Sequence, residues 1–555
     1  MLCRIAKVVS GACLSVLAST TVASAQTERS VLFDHPVRLD SQGKLLSWIP
    51  GQAPYATLIS RAWKAFERIP VQANGYRTYF TNPTFYGSTT KEHRQFEGRD
   101  WYHNPAGLFT MLTDGALLYR AFSGDEVVIQ RVREMLDHQL RFGMTAPTDA
   151  WASVPYASSD PGDPVYRGAV SSRFEADGKS HGRGDGVGFL EPDKVGEMGC
   201  AFLSFYEATS AAKYRTAALH CADALAKNIR PGDASHSPWA FRVDAKTGRH
   251  EDEPYTADVI GPIRLFDELA HSGVHSLRYS KARRMAWHWL MTYPMQNNVW
   301  SQYFEDVLKY DDYRENIDQY IPLETARYFM QHPELDPQWK PHAKALIEWV
   351  TSHFAIDSTT MGGLHEKGKQ WGAEAVSEQI NDMDKMSSHT ARFASVLALW
   401  YEKTGDLSAK ERAFRSFNWA TYSARESGLT KTSLDEGTGY WFSDGYGDYM
   451  RHFQRGIASV PEWAPVNEDH ILGSTSVVRF ASYSPHLLRY TTFDRSGQEV
   501  LHLRRIPKSI RCQGRGMRRV IVSTSKAGYT MAAVPSGGFT VTVHRASGNA
   551  IEIRM

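Results

Sequence analysis

The segment MSSHTARFASVLALWYEKTGDLSAKERAFRSFNWATYSA, residues 386–424, contains two runs in which apolar side chains recur every three or four residues. This spacing predicts two amphipathic helices, at 386–403 and 407–424. The connection between them is short and contains Gly405 and Asp406, so the two helices are predicted to pack antiparallel. A single hairpin cannot bury its apolar face alone, and we therefore expect it to stack against further hairpins.

The same pattern extends through most of the chain, from residue 54 to about residue 456. The spacing predicts twelve helices, at 55–68, 105–122, 125–142, 194–208, 212–227, 257–271, 276–292, 317–331, 339–354, 386–403, 407–424 and 444–456. Short turns alternate with six long links, at 69–104, 143–193, 228–256, 293–316, 355–385 and 425–443. Because the two kinds of link alternate, all six long links must emerge at the same end. The hairpins can form an open solenoid or a closed ring, and long links at one end are typical of a functional site.

This arrangement resembles the (α/α)6 toroid, or six-hairpin, superfamily of glycoside hydrolases and polysaccharide lyases. The resemblance rests on the number of helices, the rhythm of the turns and an export signal, and no single motif identifies one family. It implies a mainly α protein whose catalytic domain, residues 26–480, is an (α/α)6 toroid of helical hairpins.

The first 25 residues are predicted to be a signal peptide that is cleaved after Ala25. Arg4 and Lys7 form a basic start, an apolar stretch follows, and Ala23-Ser24-Ala25 supplies the small residues of a cleavage site. We therefore expect a periplasmic or secreted protein without a membrane anchor, since no later run is typical of a transmembrane helix. The formal charge of +2, from 63 lysine and arginine against 61 aspartate and glutamate residues, argues against a nucleic-acid binder.

After about residue 485 the pattern changes to short alternating segments, at 500–504, 520–523, 539–545 and 550–554, separated by Gly- and Ser-rich turns. They predict a small all-β domain, sandwich-like, at 485–555. Its sequence contains a cluster of cations without an acid, namely Arg504, Arg505, Lys508, Arg511, Arg515, Arg518 and Arg519. We interpret the cluster as a solvated surface or a cover for the helical domain, with contact to an anionic glycan as the alternative.

Three cysteines remain after removal of the signal peptide, and they cannot form a disulfide framework for a chain of this size. Cys200 and Cys221 fall opposite one another on a predicted helical hairpin whose turn lies near residue 210. A disulfide and two buried thiols are both compatible with this placement.

Each long link, or its border, carries one tryptophan. The six are Trp101, Trp151, Trp239, Trp300, Trp371 and Trp441. A tryptophan in a polar loop can simply anchor that loop by burying its ring. Six of them at one end nevertheless predict a cleft that binds the flat faces of sugar rings.

Acidic residues are also frequent at this end, and glycoside hydrolysis uses two of them. One carboxylic acid protonates the leaving oxygen, while a second carboxylate activates water or attacks carbon. The resemblance implies catalytic acids in loops across the cleft from one another, for which we select Asp258, or less favourably Glu253, and Asp444 or Asp448. Tyr446 lies between the last two and is predicted to contact substrate. Any of these acids can instead be an ordinary helix cap.

A further polar cluster follows Trp371 along the chain. Glu378, Asp384, His389 and Arg392 combine groups that suit hydrogen bonding to hydroxyls or pairing with a sugar carboxylate.

β-Elimination of a uronate-containing glycan is the alternative chemistry. It needs a cation or amide to neutralise the uronate and a Tyr or His to move a proton, and His103, Tyr313 and Arg314 supply such groups. The small C-terminal domain favours hydrolysis, because many toroid lyases carry a large β region there. A non-catalytic glycan-binding protein is the second alternative.

No cofactor or metal site is predicted, although Asp311 and Asp312 leave Ca²⁺ open as an alternative. The expected partner is therefore a polysaccharide or oligosaccharide, with a uronate-containing glycan included. The sequence leaves the sugar, the linkage, exo or endo action, the stereochemical outcome and the oligomeric state open.

Overall fold

The computed structural model describes residues 31–87, 95–99, 101–170, 185–250, 254–302, 316–355, 371–380, 382–432, 440–521 and 527–555. The α-helices in these ranges are α1 Pro54–Glu67, α2 Pro105–Ser123, α3 Val127–Phe142, α4 Pro192–Thr209, α5 Ala212–Asn228, α6 Ile260–His271, α7 Leu277–Thr292, α8 Pro294–Asn297, α9 Tyr320–Gln331, α10 Trp339–Phe354, α11 Ser387–Thr404, α12 Leu407–Thr421 and α13 Tyr449–Ser459. All except the single turn α8 correspond to one of the twelve predicted helices.

The helices form a closed double ring. Inner helices α2, α4, α6, α9, α11 and α13 contact one another in this order, and α13 contacts α2 to close the circle. Helices α3, α5, α7, α10 and α12 each pack against the inner helix that precedes them, while α1 packs against α13. The first and last helices of the ring therefore form its sixth pair. The open solenoid is excluded, and the (α/α)6 toroid is confirmed.

Helix boundaries follow from local chemistry. The side-chain oxygen of Asn104 accepts a hydrogen bond from the backbone N–H of Gly107 at 3.0 Å, and Pro105 occupies the first position of α2. At the other end, Gly124 adopts a positive φ of 77°, a conformation that glycine reaches without steric cost. Asp406 caps α12 by accepting from Ser408 N–H at 2.9 Å. Gly124 and Asp406 lie in short turns that reverse the chain, which is why these turns could be recognised in the sequence.

The long links lead into the N-terminal ends of the inner helices. Residues at or just before the starts of α2, α4, α9 and α11, and in the turn that precedes α13, line a single cavity. The inner helices are therefore parallel to one another, and the described parts of the long links converge at one end as the alternation predicts.

Short strands occur within the links, and longer ones form the C-terminal region. The strands are β1 Val31–Leu32, β2 His35–Pro36, β3 Arg38–Leu39, β4 Leu45–Leu46, β5 Thr84–Phe85, β6 Phe189–Leu190, β7 Val243–Asp244, β8 Ser377–Gln379, β9 Asp382–Lys385, β10 Tyr440–Trp441, β11 His470–Ser474, β12 Val478–Ser484, β13 Leu487–Thr492, β14 Gly497–Leu503, β15 Ser509–Cys512, β16 Arg515–Gly516, β17 Gly528–Ala533, β18 Phe539–Arg545 and β19 Ala550–Arg554.

The C-terminal strands form a sandwich of two antiparallel sheets, in the orders β11-β14-β18-β17 and β12-β13-β19-β15-β16. The two sheets enclose an apolar core of their own. The sandwich begins at His470, earlier than the predicted boundary at 485, because β11 and β12 also belong to its two sheets. The predicted strand at 520–523 extends into residues outside the described ranges, and the neighbouring strand is β17.

The sandwich packs on the end of the toroid that is opposite the cavity. The Phe122 ring, near the C-terminal end of α2, stacks on His470 with ring centroids 3.8 Å apart. Tyr206, near the C-terminal end of α4, contacts Phe493, and the hydroxyl of Tyr483 donates to the carbonyl of Ala121. The sandwich therefore covers the end where α2 and α4 turn back.

Cys200 on α4 and Cys221 on α5 are free, buried thiols. No helix in the described part of the chain has the length and apolar character needed to span a membrane. The predicted signal peptide, residues 1–25, lies outside the described residues.

Candidate active site

The cavity at the open end of the ring has a volume of about 160 Å³. This is several times the volume of about 30 Å³ that one water molecule occupies in the liquid. The lining residues are Pro83, Trp101, Tyr102, His103, Asn104, Gly107, Leu108, Met111, Glu191, Asp193, Lys194, Phe241, Gln302, Asp318, Gln319, Tyr320, Glu378, His389, Arg392, Trp441, Ser443 and Asp444. N-terminal helix ends carry partial positive charge, so several of them around one cavity favour acidic side chains and anionic ligands there.

Two indoles border the cavity. Trp101 precedes α2, and Trp441 lies on β10, which pairs with β5. Their ring centroids are 5.1 Å apart and the rings are nearly perpendicular, at 77°. Both side chains are only partly buried, so they offer apolar surface to a ligand.

Asp444 lies in a π-helical turn, Ser443–Asp448, that leads into α13. A Cβ on Gly445 would lie 2.6 Å from Thr430 Oγ1, and one on Gly447 would lie 3.0 Å from Met111 Cβ. The two glycines therefore allow this turn to pack closely against its neighbours and hold Asp444 at the cavity wall.

Burial raises the pKa of Asp444 to about 7. His389 and Arg392 act in the opposite direction, while the charges of Glu378 and Asp448 raise the pKa further. The carboxyl group is open to the cavity on one side and surrounded by protein on the others. It therefore exchanges a proton near neutral pH, which a catalytic acid requires.

Asp448, four residues further on, has the opposite electrostatic environment. Its carboxylate accepts hydrogen bonds from Arg392, from Arg451 Nε at 2.9 Å and from His452 Nε2 at 2.9 Å. Burial alone would raise its pKa, but these groups hold the pKa well below the usual value. Asp448 is fully buried and does not line the cavity, so it anchors the cations beneath the site.

His389 is fixed by three neighbours. Its Nδ1 faces two donors, Gln319 Nε2 at 3.1 Å and Arg392 at 3.1 Å, and therefore acts as the acceptor. The Gln319 orientation is set by Arg392, which donates to Gln319 Oε1 at 3.2 Å. With Nδ1 as an acceptor, a ring proton lies on Nε2, and this nitrogen is 3.4 Å from Glu378 Oε1. Glu378 is thus the carboxylate neighbour of the imidazole at the cavity.

Lys194 forms the opposite wall with the start of α4. Its Nζ lies 3.4 Å from Asp193 and 3.3 Å from Glu197, and Tyr320 donates to Glu197 at 2.5 Å. Burial would lower the pKa of Lys194, yet the two carboxylates raise it well above the usual value. Lys194 is therefore a permanent cation at the cavity.

Asp318, just before α9, also faces the cavity. Its carboxyl group accepts from Gln302 Nε2 at 3.1 Å and from the backbone N–H of Ile321 at 3.0 Å. Burial raises its pKa to about 7, although these contacts and the nearby Arg392 act against the rise. Two carboxyl groups at the cavity, Asp318 and Asp444, thus titrate near neutrality.

Seven of the residues selected from sequence line the cavity: Trp101, His103, Glu378, His389, Arg392, Trp441 and Asp444. Asp258 does not. It is buried, and burial together with Glu197 and Asp193 raises its pKa well above the usual value. Its Oδ2 has no hydrogen-bond partner among the described residues.

The expected rim of six indoles is wrong for three of them, because Trp151, Trp239 and Trp300 are buried in the core. Trp239, for example, donates its indole N–H to Leu225 O at 3.0 Å. These rings anchor their links against the helices, since burial of a large apolar ring is more favourable than its exposure.

Other selected residues also lie away from the cavity lining. Trp371 is partly buried at a turn where its backbone accepts from Leu45 N–H, and Asp384 lies on β9. Tyr446 is buried and donates to Gly428 O at 3.2 Å. Glu253, Tyr313 and Arg314 lie outside the described residues, as do Asp311 and Asp312.

Sequence reasoning missed Lys194, Gln302, Asp318, Gln319 and Tyr320 as site residues. Four of them stand at the starts of α4 and α9, so the rule that every inner helix begins at the site would have found them. Within the described ranges, no group of three or more His, Cys, Asp and Glu side chains is placed to hold a metal ion.

No protein-family model matches this chain, and no curated protein matches its sequence. Solved structures do share its fold. A cellobiose 2-epimerase from Bacillus thermoamylovorans B4167 has a TM-score of 0.52 at 9% identity, covering 73% of this chain and 98% of its own. A D-mannose isomerase has a TM-score of 0.51 at 10% identity, covering 74% and 96%.

A sugar epimerase from a ruminal bacterium has a TM-score of 0.50 at 12% identity, covering 73% of this chain and 99% of its own. At these identities the similarity shows the fold. This chain is thus similar to (α/α)6 toroid enzymes in architecture.

Proposed function

We propose that this chain is an exported carbohydrate-active enzyme that hydrolyses glycosidic bonds. The observation that carries the proposal is Asp444, a carboxyl group at the wall of an indole-bordered cavity whose pKa is raised to about 7 by burial. A carboxylic acid that keeps its proton near neutral pH can transfer it to the glycosidic oxygen as the bond breaks. The names of the three similar solved structures all refer to sugars, which supports a saccharide substrate.

Asp318 is the second carboxyl group in this proposal. It faces the same cavity, and its pKa of about 7 suits a base that withdraws a proton from water. We assign this role to Asp318 and not to Asp258, because Asp258 does not line the cavity. Asp448 is held as an anion by three cationic or imidazole groups and supports the site from beneath.

Substrate orientation would come from the remaining walls. Trp101 and Trp441 offer apolar surface for the C–H face of a sugar ring. Lys194, Arg392 and Gln302 place N–H donors at the cavity for hydroxyl or carboxylate oxygens.

The second candidate is β-elimination from a uronate. The observation that favours it is the Glu378–His389 contact of 3.4 Å in a cavity that also contains Lys194 and Arg392. Glu378 would remove the proton from the carbon next to the uronate carboxylate, whose charge Lys194 and Arg392 would neutralise. The electron pair would form the C=C bond as the glycosidic C–O bond breaks, and the leaving oxygen would take up a proton.

One experiment separates the two reactions. The protein is incubated with neutral and uronate-containing glycans, while new reducing ends and the ultraviolet absorbance of a new C=C bond are followed. Hydrolysis yields reducing ends without absorbance, and elimination yields both. Reducing ends that always appear with absorbance would overturn hydrolysis.

Variants then test the acid. Asp444→Asn keeps the shape of the side chain but removes its proton, and we expect a loss of at least about a hundredfold in kcat. Glu426→Gln is the control, since Glu426 is an exposed acid that pairs with Arg61 at 2.9 Å outside the cavity. Full activity in Asp444→Asn would remove Asp444 from the mechanism.

A further inference from the structure

Basic and acidic residues are unevenly distributed between the C-terminal sandwich and the rest of the chain. Residues 470–555 contain 13 lysine and arginine but only 3 aspartate and glutamate residues, whereas residues 1–469 contain 50 and 58. The sandwich is thus strongly basic and the rest of the chain is acidic. Such an asymmetry within one chain is typical of a part that meets an anionic partner.

One face of the sandwich collects basic side chains around a hollow. In the five-stranded sheet, Glu552 on β19 pairs with Arg489 on one side and with Arg511 on the other. Residues that directly face each other across paired strands point to the same side of a sheet. Their chain neighbours Ile551 and Ile553 are buried in the sandwich core, so this row faces outward.

The hollow has a volume of about 410 Å³ and is bordered by this row, by Arg554 and by Phe480. Phe480 is 44% exposed, which is unusual for a large apolar ring on a strand. The combination of an exposed ring and guanidinium groups is suited to a ligand with both flat C–H faces and negative charge.

The face keeps an excess of positive charge. Glu552 lies 3.2 Å from Arg489 and 2.8 Å from Arg554, and among the described residues that border the hollow it is the single carboxylate beside three guanidinium groups. The side chains of Arg489 and Arg554 are 57% and 56% exposed. Exposed ion pairs of this kind contribute little stability, so a ligand carboxylate can compete for these guanidinium groups.

We propose that this outward face, Phe480, Arg489, Arg511, Glu552 and Arg554, is a second glycan-binding site, specific for a carboxylated polysaccharide. The planar guanidinium group binds a carboxylate with two parallel hydrogen bonds, and the Phe480 ring packs on the adjacent sugar. The site lies on the sandwich, which covers the closed end of the toroid, and it therefore holds the polymer away from the cavity. The identification of the ligand as a glycan rests on the proposed function.

A polymer with at most one charge per sugar fits this molecule better than a nucleic acid or an anionic membrane. The acidic toroid lies directly against the sandwich through contacts such as Phe122 with His470. A densely charged polyanion or a flat anionic surface would be repelled by that neighbour, whereas a glycan strand can follow the sandwich alone.

The test measures binding in the full-length Asp444→Asn chain, so that the proposed hydrolysis does not consume the probe. The probes are polygalacturonate and alginate, with fully methyl-esterified polygalacturonate as the uncharged match. One variant adds Arg489→Gln, Arg511→Gln and Arg554→Gln. The control adds Arg505→Gln, Lys508→Gln and Arg518→Gln, exposed cations of the same domain that do not border the hollow.

We expect a carboxylated probe to bind, the ester to bind more weakly, and the face variant to lose roughly tenfold or more in affinity while the control loses much less. Phe480→Ala should weaken binding without changing its salt dependence. Equal loss in both triple variants, binding of duplex DNA as tight as that of the glycan, or no binding of either carboxylated probe would each overturn the proposal.

Failure of the second site and failure of the catalytic proposal can be told apart. Binding with the expected variant pattern but without any glycan cleavage by the wild type would overturn the hydrolase and leave the second site intact. Cleavage without this binding pattern would overturn the second site alone.

Discussion

Replacing Asp444 by asparagine should stabilise the protein at alkaline pH while it removes activity. Burial raises the pKa of Asp444 from the 3.8 of an unperturbed aspartate to about 7. In the folded protein the group therefore holds its proton until pH 7, whereas in the unfolded chain it loses that proton near pH 4. The contribution of this group to the stability of the wild type is then fully present below pH 4. It falls as the pH rises towards 7 and is constant above that pH.

The magnitude follows from the width of this window. Each pKa unit corresponds to about 1.4 kcal/mol, and two units separate pH 5 from the folded pKa of about 7. The wild type should thus lose up to about 3 kcal/mol between pH 5 and pH 8 through this group, or about 1 kcal/mol if cavity water screens the charge. The amide that replaces the carboxyl group in the Asp444→Asn variant cannot ionise, so the variant escapes this loss.

The assay is the melting temperature of wild type and Asp444→Asn, followed by tryptophan fluorescence at pH 5 and pH 8. The melting temperature of the variant relative to the wild type should be higher at pH 8 than at pH 5. Asp448→Asn is the contrast, because the pKa of Asp448 is held well below its usual value and its charge stabilises the fold at both pH values. A relative melting temperature of Asp444→Asn that does not rise with pH would refute the raised pKa and with it the assignment of the acid.

Three further outcomes are expected. The kcat of hydrolysis should show a bell-shaped pH profile centred near 7, since it rises as Asp318 loses its proton and falls as Asp444 loses its own. Two pH units from this maximum the kcat should be about 25-fold lower. A flat profile between pH 5 and 9 would contradict the assignment of this pair. Gly428→Ala should lower the free energy of unfolding by about 1 to 3 kcal/mol in denaturant titrations, because the residue has a φ of 82° and the new Cβ would lie 2.1 Å from Arg61 O. An unchanged free energy of unfolding would show that the turn relaxes freely. Glu499→Gln should destabilise the sandwich by about 3 to 5 kcal/mol, since it breaks a fully buried pair with Arg545 at 2.7 Å, and calorimetry should show a lower transition for that domain than in wild type.

The helical fold was accessible from sequence because its signals are local. Apolar spacing over each run, and turn residues such as Gly405 and Asp406, depend on neighbours within one or two helical turns. The alternation of short and long links then placed the site at one end without any contact information. The start of the sandwich was predicted too late because β11 and β12, the first strands after the link at 460–469, were not recognised in the sequence.

The roles of individual side chains were decided differently. Trp101 and Trp151 both stand in long links, yet the first borders the cavity and the second is in the core. Asp444 and Asp448 lie four residues apart in one turn, and their pKa values move in opposite directions because Arg392, Arg451 and His452 surround only the second closely. No local pattern distinguishes the two tryptophans. For the aspartates, the sequence shows Arg451 and His452 three and four residues after Asp448, whereas the burial of both carboxyl groups and the contact with Arg392 depend on the fold.

The sequence by itself determined the number and order of the helices and the end at which the links gather, since hydrophobic periodicity and turn chemistry act over a few residues. Only the tertiary structure decided that the ring closes through α13 and α2, that Asp318 and not Asp258 reaches the cavity, and which indoles remain exposed. These outcomes depend on burial and on contacts between helices that are far apart in the chain, and burial shifts the pKa of a carboxyl group in a way that its sequence neighbours do not reveal.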